Sequence, residues 1–94
     1  MFIFTWDENK NTINLNKHGI CFDEASSVFF DERAIIFDDP EHSAEEDRFL
    51  ILGISNKANI CIVCHCYRDD DSMIRIISAR KATKREEARY EKGI

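Results

Sequence analysis

The chain has 94 residues, 44% hydrophobic and 33% charged, with a formal net charge of −5 at pH 7; that length supports one core and excludes two, so a single domain over 1–94 is expected. Its longest apolar stretches, 49–52 and 60–64, fall far short of the roughly 20 residues that cross a bilayer, which excludes a membrane role. The opening residues Met1-Phe2-Ile3-Phe4-Thr5-Trp6 lack the basic flank, apolar run and cleavage site of a secretory signal, so the cytoplasm is the expected location.

Phe2, Phe4 and Trp6 alternate with Ile3 and Thr5, the period-two pattern of a short strand. Asp7 then offers an N-cap carboxylate to a helix expected over 8–18, which Gly19 ends by taking left-handed backbone. Ile13 and Leu15 are modest apolar anchors, so this helix depends on tertiary packing. A second helix begins near Phe22, where Asp23 and Glu24 complement the helix dipole and Phe22, Ala25, Val28 and Phe29 form an apolar stripe. From Ala34 the pattern becomes strand-like, with a strand over 33–37 closed by the turn Asp38-Asp39-Pro40. Strands over 47–55, 59–67 and 73–79 follow, joined by hairpin-length connections into an antiparallel meander. Thr83-Lys84-Arg85-Glu86 is a capping box, and the last helix runs to Lys92 before Gly93. The sum is an α+β fold: two N-terminal helices, a four-stranded antiparallel sheet plus a short N-terminal strand, and a C-terminal helix. Helices on one sheet face would leave the other to a ligand.

The four cysteines, Cys21, Cys61, Cys64 and Cys66, remain thiols in a reducing compartment. Cys61 and Cys64 form a C-x-x-C, but on a strand Cys61 points one way and Cys64 and Cys66 the other, a layout that cannot converge on one metal. His18, His42 and His65 have no paired ligand spacing, and Asp69-Asp70-Asp71 reads as a solvated loop, so neither metal nor cofactor is expected. The charge is uneven: residues 1–72 carry six Lys/Arg against fifteen Asp/Glu, and residues 73–94 carry seven against three. A local basic surface can hold phosphates on an acidic protein because salt screens the remoter charges.

Trp6-Asp7, Lys10, Asn14-Leu15 and Lys17-His18-Gly19, then Asp47-Arg48-Phe49 with Gly53, then the run from Ile74 to Ala82 with Glu86 and Tyr90, together resemble the BrnT family of toxins. The match spans nearly the whole chain and is most specific from Arg75 to Lys81 with Glu86 and Tyr90. The resemblance implies a RelE-like fold, a metal-independent ribonuclease that inhibits translation and growth, and a BrnA-type antitoxin whose complex with the toxin binds operator DNA. Cys21 departs from the family's usual Ser or Thr, which weakens the start of the second helix.

Metal-free RNA cleavage has the ribose 2′-OH attack its own phosphate, and so requires a base, an acid for the leaving 5′-oxygen, and cations for the phosphorane. Arg48, Arg75 and Arg80 are the candidate cations, since a guanidinium fork matches phosphate oxygens. Strand alternation places Arg75 away from Ile74 and Ile76, on the side of Ile77 and Ala79. His18 is the candidate acid or base, because an imidazole titrates near neutrality; Lys17 and His18 also suit the dipole at a helix end. His65 reads as a satisfied, half-buried side chain. Tyr90, one turn beyond the capping residue Glu86, either presents its hydroxyl to RNA or pins the helix to the sheet. Tyr67 is a candidate for stacking on a base, and Lys17, Lys81, Lys84 and Arg85 for phosphate contacts. The alternative is a non-catalytic docking module within an antitoxin-dependent repressor. Its mark would be Arg75 and Arg80 locked in internal salt bridges rather than facing a groove.

Overall fold

The computed structural model describes residues 2–41 and 47–93. Helix α1 (Glu8–His18) starts at Asp7, whose carboxylate accepts the N–H groups of Asn9 at 2.8 Å and Lys10 at 3.2 Å. Gly19, at φ 75°, ends it by donating its N–H to the Leu15 carbonyl. Helix α2 (Phe22–Ser27) runs on into a 3-10 turn, Val28–Phe30. Its cap is the Cys21 sulfur, which accepts the Glu24 N–H at 3.4 Å, so the departure from Ser or Thr keeps the cap but makes it longer and softer.

The strands are β1 (Ile3–Thr5), β2 (Ile35–Asp38), β3 (Phe49–Ile54), β4 (Ile60–Arg68) and β5 (Met73–Lys81). They lie in the order β1-β5-β4-β3-β2. β2 to β5 form the expected antiparallel meander, while β1 joins parallel to β5, from Ile3↔Met73 to Thr5↔Arg75. In the β4–β5 ladder Cys64 pairs with Ser78 but His65 pairs with Ile76, so Ile77 is an extra, bulged residue. The bulge reverses the alternation expected for β5. Ala79, opposite Val63, joins Ile76, opposite His65, on one face; Arg75, Ser78 and Arg80, opposite Cys66, Cys64 and Ile62, share the other. The expected grouping of Arg75 with Ala79 is thereby corrected.

Ile20, Phe22, Ala25 and Val28 pack with Ile51, Cys61, Val63, Ile76 and Ala79 beneath α1 and α2. Removing the larger of these side chains from water is worth roughly 1.5–3 kcal/mol each. Gly53 lets the 3-10 turn approach β3, since a Cβ there would stand 2.9 Å from Val28 Cγ1. Helix α3 (Lys84–Lys92) does not join these helices: Tyr90 packs with Ile35, Leu52 and Ile62 on the opposite face, Leu52 pointing away from its neighbour Ile51. The expectation of helices on one face only is corrected accordingly. The capping box that follows β5 turns the chain back over the second face, and the part of that face left uncovered becomes a cleft.

Candidate active site

Helix α1 is held to the sheet by an amide, not by its aliphatic residues. Ile13 and Leu15 are 63% and 47% exposed, whereas Asn14 is buried. Its Nδ2 donates to the carbonyls of Ala79 and Ile20, each at 2.8 Å, and its Oδ1 accepts the Ala79 N–H at 3.0 Å. β1 pairs with β5 only as far as Arg75, so the Asn14 side chain supplies Ala79 with the partners a neighbouring strand would provide.

One helical turn beyond Asn14, His18 lines a cleft of about 350 Å³ whose wall includes Ser78, Arg80, Cys64, Asp39 and Glu41. Glu86 grips Arg80 at both ends of the fork, Nη1 to Oε1 at 2.8 Å and Nη2 to Oε2 at 3.0 Å, yet the Arg80 side chain stays 40% exposed. The same Glu86 Oε1 accepts the Thr83 N–H at 2.8 Å, so one carboxylate both starts α3 and aims the guanidinium. Arg80 holds the Glu86 carboxyl down at about 2, and Glu86 in turn raises the Arg80 guanidinium above its ordinary value.

Arg75 lies on the same sheet face as Arg80 with Ser78 between them. Arg48 immediately precedes β3, where its carbonyl accepts the Asp39 N–H at 3.0 Å, and its charge reaches the Cys64 thiol. Burial and the neighbouring Asp39 carboxylate outweigh it and push that thiol up to about 12. Lys17 and Lys10 line an adjoining groove of about 210 Å³ that shares His18 and Ser78 with the cleft. The fold thus brings His18 and Arg80 to the cleft and Lys17 to the adjoining groove, whereas Arg75 and Arg48 line neither.

Other sequence candidates lie elsewhere. Tyr90 is buried and its hydroxyl donates to Asp31 Oδ2 at 2.6 Å, so of its two expected roles the structure takes the pin, and the phenol is withdrawn from the cleft. Tyr67 pairs with Ile74 on the opposite face from Arg75 and lines a separate cavity with Asp47, Phe49 and Asp71, where two carboxylates would repel a phosphate. Lys81 pairs with Cys61 on the face away from Arg80, and Lys84 and Arg85 are exposed on the first turn of α3. His65 is fully buried, its ring nitrogens 3.2 Å from the Val63 carbonyl and 3.3 Å from the Tyr67 hydroxyl, and burial lowers it to about 4. Cys61 faces away from Cys64 and Cys66, and among the described residues no His, Cys, Asp or Glu cluster could hold a metal ion. His42 lies outside the described residues.

Sequence reasoning missed Asn14 as a clamp and Asp39 and Glu41 as cleft walls. Asp38-Asp39-Pro40 carries a turn signal and nothing that says which surface the turn overhangs. Asn14 stands among the residues that carry the family resemblance, but the sequence attaches no role to it beyond that of a polar residue beside the weak anchors Ile13 and Leu15.

The fold and site are those of a small α+β protein in which an imidazole and a braced guanidinium line one open cleft on a five-stranded sheet. The chain belongs to the BrnT family, whose model, described as "Ribonuclease toxin, BrnT, of type II toxin-antitoxin system", matches residues 6–86. Among solved structures, the chain is similar to the 1.1 Å crystal structure of the Brucella abortus ribonuclease toxin BrnT, with a TM-score of 0.67 and 27% identity, over 89% of this chain and 99% of that one. No curated protein sequence matches. A toxin of a type II system implies an antitoxin partner. Among the described residues no helix is long and apolar enough to cross a membrane.

Proposed function

We propose that this single-domain chain is a cytoplasmic endoribonuclease that cleaves RNA without a metal, inhibits translation and growth, and is neutralised by a BrnA-type antitoxin. The observation that carries the proposal is the shared cleft of His18 and Arg80. In it the imidazole moves the proton of the attacking 2′-OH or of the leaving 5′-oxygen, and Arg80 neutralises the phosphorane with Arg75 and Arg48 in support. Glu86 orients Arg80 without consuming all of its exposed surface. Lys17, with Lys84 and Arg85 further out, holds flanking phosphates and so positions RNA without reading its sequence. Tyr67, Lys81 and Tyr90 take no part in this scheme.

Purified protein incubated with RNA in excess EDTA is expected to cut it and leave 2′,3′-cyclic phosphate ends. Arg80→Ala should slow cleavage by about 10²-fold, the scale of losing a charge-stabilising donor. It should also abolish growth inhibition when expressed without the antitoxin. His18→Ala should lower the rate and change its pH profile. RNA left intact in EDTA but cut once Mg²⁺ is added would overturn metal independence, and undiminished toxicity of folded Arg80→Ala would remove Arg80 from the site.

The fork between Arg80 and Glu86 favours a second reading, a non-catalytic docking module that reaches operator DNA only through the antitoxin complex. In that case RNA stays intact under every condition, and Arg80→Ala weakens only operator binding by the complex.

A further inference from the structure

We infer that Asn14 is a positioning residue for cleavage, fixing the turn of α1 that carries His18 against the strand that carries Arg80. The inference rests on the assignment of those two residues to the cleft.

Three observations support it. Asn14 is the buried residue of α1 and makes three hydrogen bonds with one amide, two of them to the backbone of Ala79. Ala79 lies between Ser78 and Arg80, both in the wall of the cleft, and just beyond the bulge at Ile77 that sets those two side chains on the face of Arg75. His18 is four residues from Asn14 on the same helix, hence one turn away on the same side. The third bond, to the carbonyl of Ile20 just past Gly19, ties down the chain on the other side of His18. The imidazole is therefore bracketed: its helix is bonded to β5 one turn before it, and its exit from the helix is bonded to the same amide two residues after it.

Asn14 supplies what this junction needs because an amide carries a donor and an acceptor at one end of a short side chain, matching the N–H and C=O of Ala79 at once. Aspartate has nearly the same shape but no donor, so it would set a carboxylate against the carbonyls of Ala79 and Ile20. Aliphatic packing cannot substitute, since Ile13 and Leu15 face outward.

The test uses Asn14→Ala and Asn14→Asp, each checked for folding by circular dichroism, beside His18→Ala and the double variant Asn14→Asp/His18→Ala, all assayed on RNA in excess EDTA. Displacing a reacting group by about 1 Å costs on the order of 10²-fold, so kcat should fall by about 10- to 100-fold while KM stays within about threefold. The double variant should cleave no more slowly than His18→Ala alone, because misplacing an imidazole that is absent costs nothing further. Losses that multiply in the double variant, or a folded Asn14→Asp with kcat within about threefold of the parent, would overturn the inference. Failure of both single variants to fold would also overturn it, making Asn14 a core residue and no more. An impaired His18→Ala beside an unimpaired Asn14→Asp sinks this inference alone, whereas parental rates in His18→Ala sink the site assignment and this inference with it.

Discussion

The Tyr90 hydroxyl reaches Asp31 Oδ2 at 2.6 Å, an oxygen that also accepts the Ile54 N–H at 2.9 Å, while the Arg33 guanidinium sits 5.5 Å from the centre of the Tyr90 ring. Burial pushes the Asp31 carboxyl up, but the Tyr90 hydroxyl and the N–H groups of Ile54 and Arg33 outweigh it and hold the carboxyl below its ordinary value. Tyr90 is thus the rivet between α3, β3 and the turn before β2. Tyr90→Phe removes a hydrogen bond to a charged acceptor and should cost about 1.5–3 kcal/mol in denaturant melts while leaving RNA cleavage within about twofold of the parent. If cleavage collapsed with stability intact, the phenol would have to return to the chemistry. The sequence offered both roles for Tyr90 because the i, i+4 relation to Glu86 is local. It could not choose between them, since Asp31 is 59 residues away in the chain.

At the scale of the element, what was legible is what is settled within a few residues. Asp7, Gly19 and the Thr83–Glu86 box all cap the helices they were expected to cap, because each needs only its own neighbours. The bulge at Ile77 was not legible. It is set by how β5 pairs with β4, and a single slipped residue moved Ser78 and Arg80 onto the face of Arg75. The parallel docking of β1 and the crossing of α3 to the second face were hidden for the same reason. Caps also carry a prediction: the Cys21 sulfur holds the Glu24 N–H at 3.4 Å, and a hydroxyl is the stronger acceptor. Cys21→Ser should therefore raise stability by about 0.5–1 kcal/mol, read as a higher melting temperature, with no change in cleavage. An unchanged or lower melting temperature would mean that packing of the sulfur at this half-buried site matters more than the cap.

For the molecule as a whole, the two sheet faces divide the work, and acid should separate them. His65 is buried against Phe29, its ring edge-on with centroids 4.7 Å apart, on the face opposite Arg75 and Arg80. Its folded value of about 4 lies below the ordinary 6.5, so the unfolded chain takes up a proton that the folded one refuses. Stability from this group is therefore complete above pH 6.5 and is lost as pH falls from there to about 4, amounting to about 3 kcal/mol. That is a large part of the margin by which a domain of this size stays folded. The Arg80–Glu86 pair outlasts it, since Glu86 must be titrated through about 2 before the fork opens. Urea denaturation at pH 7 and pH 4.5 should show the parent losing about 2–3 kcal/mol, with a distinctly smaller loss in His65→Gln, whose side chain does not titrate. Parallel losses in the two proteins would transfer the acid sensitivity from His65 to the carboxylates.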